Sequence, residues 1–266
     1  MSGSVRFRGQ GHTLGDRIQI RLDDPATVEA GPLIDIGADD FTIEMWLRPG
    51  DNPNGAISCG DGSNDWVTSN IFVDRDRHSQ PPHFGAGIAG GVVVFSTGNE
   101  LENHTLCGSA NVLDGAWHHV ALQRRASDGM LWIWIDGMLD ATADGPDGDI
   151  SYPDDGVPMD VCPERDGVCD YSDPFLVFGA EKHGYADISY TGLMDEIRIS
   201  STLRYLDAFT PPSAEHATDA DTVALYHLNE TGGELVRDAS GNEQHATAVY
   251  AGDPLSPTWE TEGAFP

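Results

Sequence analysis

Short segments in which apolar and polar residues alternate with a period of two restrict the fold of this 266-residue chain more than any other feature. Clusters of Gly, Asp, Asn and Pro separate these segments, as is usual in β-sandwiches. No stretch has a helical period over three turns, and the best short helix candidate is STLRYLDAF (201–209). The pattern therefore predicts an all-β fold of two antiparallel sheets. We predict strands in VRFRG (5–9), DRIQIRL (16–22), FTIEMWLRP (41–49), GVVVFST (91–97), WHHVALQRR (117–125), MLWIWIDG (130–137), FLVFGA (175–180), GLMDEIRIS (192–200) and TVALYHLN (222–229).

Residues 114–137, DGAWHHVALQRRASDGMLWIWIDG, are predicted to form a β-hairpin. Asp128-Gly129 between two alternating runs is a strong hairpin turn signal. Trp132 and Trp134 share one face of the second strand, and aliphatic residues share the other. Because both faces are apolar, we expect this strand to be central or to line a groove.

The charge of the chain excludes one class of partner. It has 44 acidic and 14 basic residues, a net charge of −30, and a single lysine, Lys182. Such a surface repels nucleic acid, because phosphate contacts require a basic face. No apolar run approaches the roughly 20 residues of a membrane span, so we expect no membrane insertion. Two interpretations of the acids remain open: a hydrated, salt-adapted surface, or carboxylates gathered to bind divalent cations.

The four cysteines, Cys59, Cys107, Cys162 and Cys169, contain no C-x-x-C pair, which disfavours zinc-ribbon and thioredoxin interpretations. An even number in an acidic, β-rich chain favours two disulfides and an oxidising compartment. A bridge across the short loop between Cys162 and Cys169 would leave Cys59 to pair with Cys107. Three connectivities are nevertheless possible.

Four segments resemble one family of lectin folds. DGAWHHVALQRR…GMLWIWIDGMLDA is similar to the signature hairpin of laminin-G-like jelly rolls, the concanavalin A-like sandwich group that includes pentraxins. FRGQGHTLGDRIQI with DDFTIEMWLRP resembles the first strands of that family. GLMDEIRISSTLRY resembles its Asp-Glu-hydrophobic-Arg strand, and TVALYHLNETGGELVRDASGNEQHATA its terminal Asp-x-Ser-Gly-Asn-x-x-His motif. The resemblance implies a single two-sheet antiparallel jelly-roll domain of the concanavalin A-like lectin/glucanase type over residues 1–266.

The chain departs from the family pattern in two places. Phe7-Arg8-Gly9 stands where relatives have Phe-Asp-Gly, so a ligand at that Asp is missing. The segment at about 138–174 is longer than the usual connection and holds ten Asp between positions 140 and 173. We interpret it as an Asp-rich insertion, stapled by the Cys162–Cys169 bridge if that pair forms. Loops of this length tend to carry function.

Calcium is the predicted cofactor, because Ca²⁺ takes six to eight oxygen ligands from carboxylates, amides and carbonyls on turning loops. Asp238 and Asn242 bracket a Ser-Gly turn in the terminal motif, where relatives often hold calcium, and Asp16 is a possible third ligand. The alternative is that the Asp238 loop only caps backbone amides. Asp144, Asp147 and Asp149 form a second candidate with D-x-x-D-x-D spacing, for which the alternative is a solvated acidic loop.

A sugar site would use aromatic faces against ring C–H groups and planar polar side chains against hydroxyls. The candidate ligand-binding residues lie in predicted loops or strand ends. For each aromatic side chain taken alone, packing is the favoured role. They are Trp66, Tyr152, Tyr171, His183 and Tyr185.

Catalysis is not expected from the sequence. Glycoside hydrolysis on this sandwich needs carboxylates alternating on one strand, Glu-x-Asp-x-(x)-Glu, and that spacing is absent. Asp195-Glu196 are adjacent, as are His118-His119, so in a regular strand each pair points to opposite faces. No G-x-S-x-G, H-E-x-x-H, GxGxxG or P-loop motif occurs. A lyase-type site of scattered His, Tyr and Arg residues stays open.

The sequence thus predicts a calcium-supported, lectin-like carbohydrate-binding module, excised from an exported chain and located outside the cell or on its surface. Its expected partner is a glycan or an extracellular protein. The first alternative is an adhesion or assembly domain without glycan binding. A polysaccharide-degrading enzyme is the second.

Overall fold

The computed structural model describes residues 2–9, 16–24, 29–30, 33–77, 81–152, 175–182, 188–249 and 258–265. Its strands in chain order are β1 (Ser4–Arg8), β2 (Arg17–Arg21), β3 (Asp23–Asp24), β4 (Glu29–Ala30), β5 (Phe41–Pro49), β6 (Gly60–Asp61), β7 (Asn70–Arg75), β8 (His83–Ala89), β9 (Val92–Gly98), β10 (Asn103–Cys107), β11 (His118–Arg124), β12 (Leu131–Ile135), β13 (Met138–Ala143), β14 (Phe175–Phe178), β15 (Thr191–Ser200), β16 (Thr222–Tyr226), β17 (Leu235–Val236), β18 (Ala246–Val249) and β19 (Thr258–Glu260). A 3₁₀ turn spans Asp65–Thr68.

Two antiparallel sheets confirm the predicted fold class. Sheet A has the order β13-β12-β11-β5-β15-β1-β19, with β16 also paired to β15. Sheet B has the order β17-β18-β2-β14-β7-β8-β9-β10-β6, and β3 and β4 form a separate ribbon. The strand order interleaves distant parts of the chain, as expected for a jelly-roll sandwich. Among the described residues, no helix has the length and apolarity to cross a membrane.

The core lies between the sheets and follows from the alternation in the sequence. In β5, Phe41, Ile43, Met45 and Leu47 are fully buried in the core, while Glu44 points to the outer face of sheet A. All nine predicted segments contain strands at or near the predicted bounds. The alternation did not lead us to predict the strands β7, β8 and β10, which have small or polar residues at several positions.

The helix predicted for 201–209 is wrong. These residues contain no helix and lie across the outer face of sheet A. Gln123 on β11 donates to Tyr205 O at 2.8 Å and accepts from the backbone N–H groups of Arg204 and Tyr205 at 2.9 and 2.8 Å. These bonds attach the backbone of residues 204 and 205 to β11 and replace the backbone hydrogen bonds that a helix would form. We call residues 201–217 the strap.

The predicted insertion begins as part of the sheet. Asp136 and Gly137, with φ angles of 52° and 78°, form a tight turn after which β13 pairs with β12. Residues 144–152 then pass along the end of the β11–β12 hairpin. Residues 153–174, with most of the Asp-rich segment, lie outside the described residues.

One of the two expected disulfides is confirmed. Cys59 and Cys107 are bonded, with their Cα atoms 5.9 Å apart, and they join the segment before β6 to the end of β10. Cys162 and Cys169 lie outside the described residues, so their pairing stays a prediction.

Candidate functional site

Carboxylates converge where the turns of several hairpins meet. A cleft of about 500 Å³ opens between the turn after β6, the β9–β10 connection, the β11–β12 turn and the segment after β13. We call it the acidic cleft. It is lined by Asp61, Glu102, Asp128, Asp144 and Asp147, together with Asn103.

Close backbone packing positions the segment after β13 against the β11–β12 turn. Gly145 N donates to Gly129 O at 3.2 Å, and Gly148 N donates to Ala126 O at 2.8 Å. Gly129 has a φ of 70°, and a Cβ there would lie 1.8 Å from Gly145 O. Only glycine permits this approach. The Asp-Gly hairpin signal therefore also explains why Asp128 lies beside Asp144.

Arg124, at the end of β11, holds the same segment from below. Its guanidinium is buried and donates to the carbonyls of Gly37, Pro146 and Gly148 at 3.2, 2.8 and 2.6 Å. Burial lowers the pKa of Arg124 to about 10 despite the nearby Asp147 and Asp149, so it stays charged at pH 7. Sequence reasoning missed it, although an Arg that continues the core-facing alternation of Val120 and Leu122 in β11 is a detectable signal.

Three carboxylates of the acidic cleft form no ion pair with the described residues: Glu102, Asp144 and Asp147. The charge of the buried Arg124 acts on Asp147 without direct contact. The other two are engaged. Asp61 Oδ1 lies 2.9 Å from His104 Nδ1, and Asp128 accepts from Arg125 Nε and Nη2 at 2.8 and 2.7 Å. The cleft therefore presents exposed carboxylate oxygens, the kind of ligand that Ca²⁺ prefers.

A second cleft, of about 210 Å³, adjoins the first and shares Glu102 and Asn103 with it. We call it the amide cleft because Asn64, Asn99 and Asn103 line it. Its other lining residues are Asp76, Pro81, His83, Glu100 and Leu101. Side-chain amides pair with sugar hydroxyls as both donors and acceptors.

His83 contributes an unused polar atom to the amide cleft. It is buried, and its Nε2 has no hydrogen-bond partner among the described residues. Burial lowers the pKa of His83 to about 4, so its imidazole is neutral at pH 7. A buried nitrogen without a partner costs free energy, which a ligand hydroxyl would recover.

The predicted calcium residues divide into two sets. Asp144 and Asp147 meet in the acidic cleft, whereas Asp149 instead accepts from Ser151 N and Oγ at 2.8 and 2.7 Å. Asp16 accepts from Arg8 N at 3.1 Å.

The terminal motif forms a hydrogen-bonded turn. Asp238 accepts from the backbone N–H groups of Leu225, Ser240 and Gln244 at 2.9 Å each. Asn242 donates to the carbonyls of Thr222 and Val223 at 2.9 and 3.0 Å. These contacts match the capping alternative. Among the described residues, no group of three His, Cys, Asp or Glu side chains with ligand atoms within 4.8 Å of one another includes Asp16 or Asp238, nor Asp144, Asp147 or Glu102.

Two of the predicted ligand-binding aromatics lie inside the protein. Trp66 is fully buried, stacks on His83 and donates to Asn64 Oδ1 at 2.8 Å, so it supports the amide cleft from beneath without offering a ring face. Tyr152 is buried below the guanidinium of Arg77. Tyr171, His183 and Tyr185 lie outside the described residues.

A second polar constellation lies beneath the strap. Glu44 Oε1 accepts from Arg198 Nε at 2.7 Å, while Glu44 Oε2 lies 3.1 Å from His119 Nε2 and accepts from Tyr205 Oη at 2.6 Å. His216 also faces Glu44. Burial alone would raise the pKa of Glu44, but the bond to His119 and the charge of Arg198 lower it to about 2.

This arrangement gathers His, Tyr and Arg residues, as a lyase-type site would, yet it is closed. Glu44 and His119 have fully buried side chains. The rings of Tyr205 and Phe209 cover them and stack on each other, with their centroids 3.5 Å apart. His118, in contrast, bonds to Asp136 and Asp114 at 2.8 and 2.9 Å, so the adjacent histidines have separate structural contacts. The buried hydrogen bonds of this constellation hold the strap on sheet A.

The expectation that Asp195 and Glu196 point to opposite faces is wrong. A bulge interrupts the pairing of β15 with β5 after Asp195, and Glu196 has a φ of 53°. Met194 and Ile197 both reach the core, so neither carboxylate between them does. The extra residue of a bulge changes the facing of the chain. Asp195 accepts from Ala264 N at 2.7 Å, and Glu196 lies 2.6 Å from His227 Nδ1.

Comparison with known proteins identifies the family. A sequence profile of the concanavalin A-like lectin/glucanases superfamily, of laminin G type, matches residues 22–159, which is more than half of the chain. No curated protein matches the sequence significantly.

Several solved structures are similar to this chain at low sequence identity. A proposed carbohydrate-binding protein from Bacteroides ovatus has 16% identity and a TM-score of 0.50, over 93% of this chain and 58% of that protein. A heptameric pentraxin from Limulus polyphemus has 12% identity and a TM-score of 0.45, over 79% and 78%. Domains LG4-5 of the mouse laminin α1 chain have 13% identity and a TM-score of 0.44, over 80% and 47%. This chain therefore spans little more than half of the first of these proteins.

Proposed function

Because the chain belongs to the concanavalin A-like lectin/glucanase superfamily, we propose that it is a calcium-supported carbohydrate-binding module of an extracellular or surface protein. The observation that carries the proposal is the junction of the acidic cleft with the amide cleft through Glu102 and Asn103. Glu102, Asp144 and Asp147 line the same cleft, and calcium would draw their carboxylates together beside amides that pair with sugar hydroxyls.

The charge of the site predicts its selectivity. Asp76, Glu100 and Glu102 border the amide cleft, and Lys and Arg do not line it among the described residues. A carboxylated or sulfated sugar would therefore be repelled unless calcium bridges its acid group. We propose uncharged glycans as the preferred ligands. The disulfide between Cys59 and Cys107 supports an oxidising, extracellular compartment.

A glycan array read with Ca²⁺ and with EDTA tests this function. We expect neutral glycans to bind only with Ca²⁺, and the Asp144→Asn/Asp147→Asn double variant to lose that binding. Asp207→Asn, on the exposed strap, serves as the matched control and retains it. Glycan binding that persists in EDTA, or in the double variant, would contradict the calcium assignment.

An assembly role is the second candidate, and one surface favours it. The strand β13 is the edge of sheet A and exposes Met138 (62%) and Leu139 (47%). An exposed apolar edge strand is a template for pairing with another chain. Concentration-dependent mass in light scattering that Leu139→Lys abolishes, without any glycan binding by the parent protein, would favour this function over the first.

A further inference from the structure

A metal-ligating group outside both clefts lies where β15, the strap and the end of β16 meet. Glu196, Glu215 and His227 each offer one ligand atom, and these atoms all lie within 4.8 Å of one another. Glu196 is fully buried, the side chain of His227 is 27% exposed, and Glu215 is exposed. The group is therefore anchored from below and open to solvent from above.

Its charge is not balanced by the protein. No Arg or Lys forms an ion pair with Glu196 or Glu215 among the described residues, and the only cationic partner there is His227, which bonds to Glu196 Oε1 at 2.6 Å. In the otherwise similar Glu44–His119–His216 group, Arg198 lies 2.6 Å from the carboxylate and compensates it. A divalent cation would be repelled there by the guanidinium, whereas near Glu196 it would be attracted.

A buried carboxylate next to this group also supports the binding of a cation. Asp195 is fully buried, and its Oδ1 has no hydrogen-bond partner among the described residues. Asp195 directly precedes Glu196 at the bulge that turns Glu196 out of the core, so both carboxyl groups come from the same short stretch of β15.

We propose that Glu196, Glu215 and His227 bind a late first-row divalent ion, with Zn²⁺ as the reference ion. Imidazole is a ligand for Zn²⁺ and its neighbours in the series, whereas Ca²⁺ prefers oxygen alone. The ion replaces the proton between Glu196 and His227. Zn–N and Zn–O bonds of about 2.0–2.1 Å set ligand separations near 3.3 Å, so His227 moves outward by under about 1 Å. Three protein ligands leave a coordination position for water or for a partner's side chain. The bound ion fastens the strap, through Glu215, to sheet A.

Calorimetric titration of the EDTA-stripped protein with Zn²⁺ alone tests the proposal, with thermal melting as a second readout. We expect one Zn²⁺ per chain and a higher Tm. Glu215→Gln should weaken binding by about tenfold or more, since even outer-shell partners are worth that much. The amide of the variant still accepts from Asn229, so the fold is retained. Asp207→Asn, an exposed acid of the strap outside both clefts, is the matched control and leaves Zn²⁺ affinity unchanged.

Two results would overturn the site: no Zn²⁺ binding by the parent protein, or equal affinity in Glu215→Gln. The Co²⁺-loaded protein gives an independent reading, because its visible bands report the coordination number and geometry of the ion, and Glu215→Gln should change them. Excess Ca²⁺ should not displace Zn²⁺. The test is therefore independent of calcium-supported glycan binding in the acidic cleft.

Discussion

The face beneath the strap and the acidic cleft both contain carboxylates, but these differ in burial and in their charged partners. Glu44 is fully buried and contacts Arg198, His119 and Tyr205. Asp144 and Asp147 are exposed and form no ion pair with the described residues. A buried charge is tolerated only when partners offset its desolvation, whereas an exposed, uncompensated carboxylate stays available to a cation. Burial and charge balance, rather than residue type, therefore separate the structural acids from the candidate ligands.

The sharpest test of this contrast is the same isosteric change in both regions. Glu44→Gln leaves the guanidinium of Arg198 buried without a countercharge, and we expect a loss of about 3–5 kcal/mol in unfolding free energy. Glu102→Gln in the acidic cleft should change it by less than about 0.5 kcal/mol. Urea denaturation measures both. Equal effects of the two substitutions would remove the distinction.

Removing the Cys59–Cys107 disulfide should loosen two strands that form part of the wall of the acidic cleft. The Cys59–Cys107 bond closes a loop with a sequence separation of 48, next to β6 and β10, which carry Asp61 and Asn103. Chain entropy predicts that Cys59→Ser/Cys107→Ser lowers the unfolding free energy by about 4 kcal/mol. We also expect weaker Ca²⁺ binding, measured by calorimetry. A variant with lower stability but unchanged Ca²⁺ affinity would show that the bond does not shape the cleft.

Acid should destabilise the face beneath the strap through His216. Burial lowers the pKa of His216 to about 4 in the folded protein, against 6.5 for the ordinary residue. Between these values the unfolded chain binds the additional proton, so stability falls as pH decreases from 6.5 to 4. The full effect is about 3 kcal/mol.

The comparison that isolates this effect is between the parent protein and His216→Gln, unfolded in urea at pH 7, 5.5 and 4.5. The variant lacks the titrating group, so the parent should lose stability relative to it as pH falls. A difference that stays constant with pH would show that His216 is not buried in its neutral form.

Arg124 connects the buried interior to the acidic cleft, so its removal should affect both properties. Arg124→Met leaves the carbonyls of Gly37, Pro146 and Gly148 without this donor, and we expect a loss of about 2–3 kcal/mol. Ca²⁺ affinity should also fall, because the segment carrying Asp144 and Asp147 loses its support. Arg124→Lys keeps the charge and should recover part of both. If Arg124→Met binds Ca²⁺ normally, the positioning role is wrong.

The smallest expected change in stability is at the tip of the acidic cleft. Asp147→Asn in Ca²⁺-free buffer should alter unfolding free energy by less than about 0.5 kcal/mol, with a small gain from reduced repulsion among the carboxylates. The rise in Tm that Ca²⁺ produces in the parent protein should disappear. A large loss of stability without Ca²⁺ would place Asp147 among the structural acids.

The predicted strands show how far sequence reasoning reached. Alternation located β5, β11, β12 and β15, because a sheet with one face in the core requires an apolar residue at every second position. Alternation failed to predict the side-chain directions where backbone geometry breaks that period, as at the bulge after Asp195 in β15. It also failed at the strap, where local propensity favoured a helix but hydrogen bonds from Gln123 decided the conformation.

Local order along the chain thus determined the sheets, the Asp-Gly turns and the carboxylates at Asp144 and Asp147, since periodicity and turn chemistry act over a few residues. Only the tertiary structure brought Asp61, Glu102 and Asp128 to the acidic cleft, and only it placed Trp66 beneath the amide cleft instead of on its surface. The same holds for Arg198 beside Glu44, 154 positions away in the chain. Distances between remote segments are set by strand order in the sheets, and no short-range pattern encodes that order.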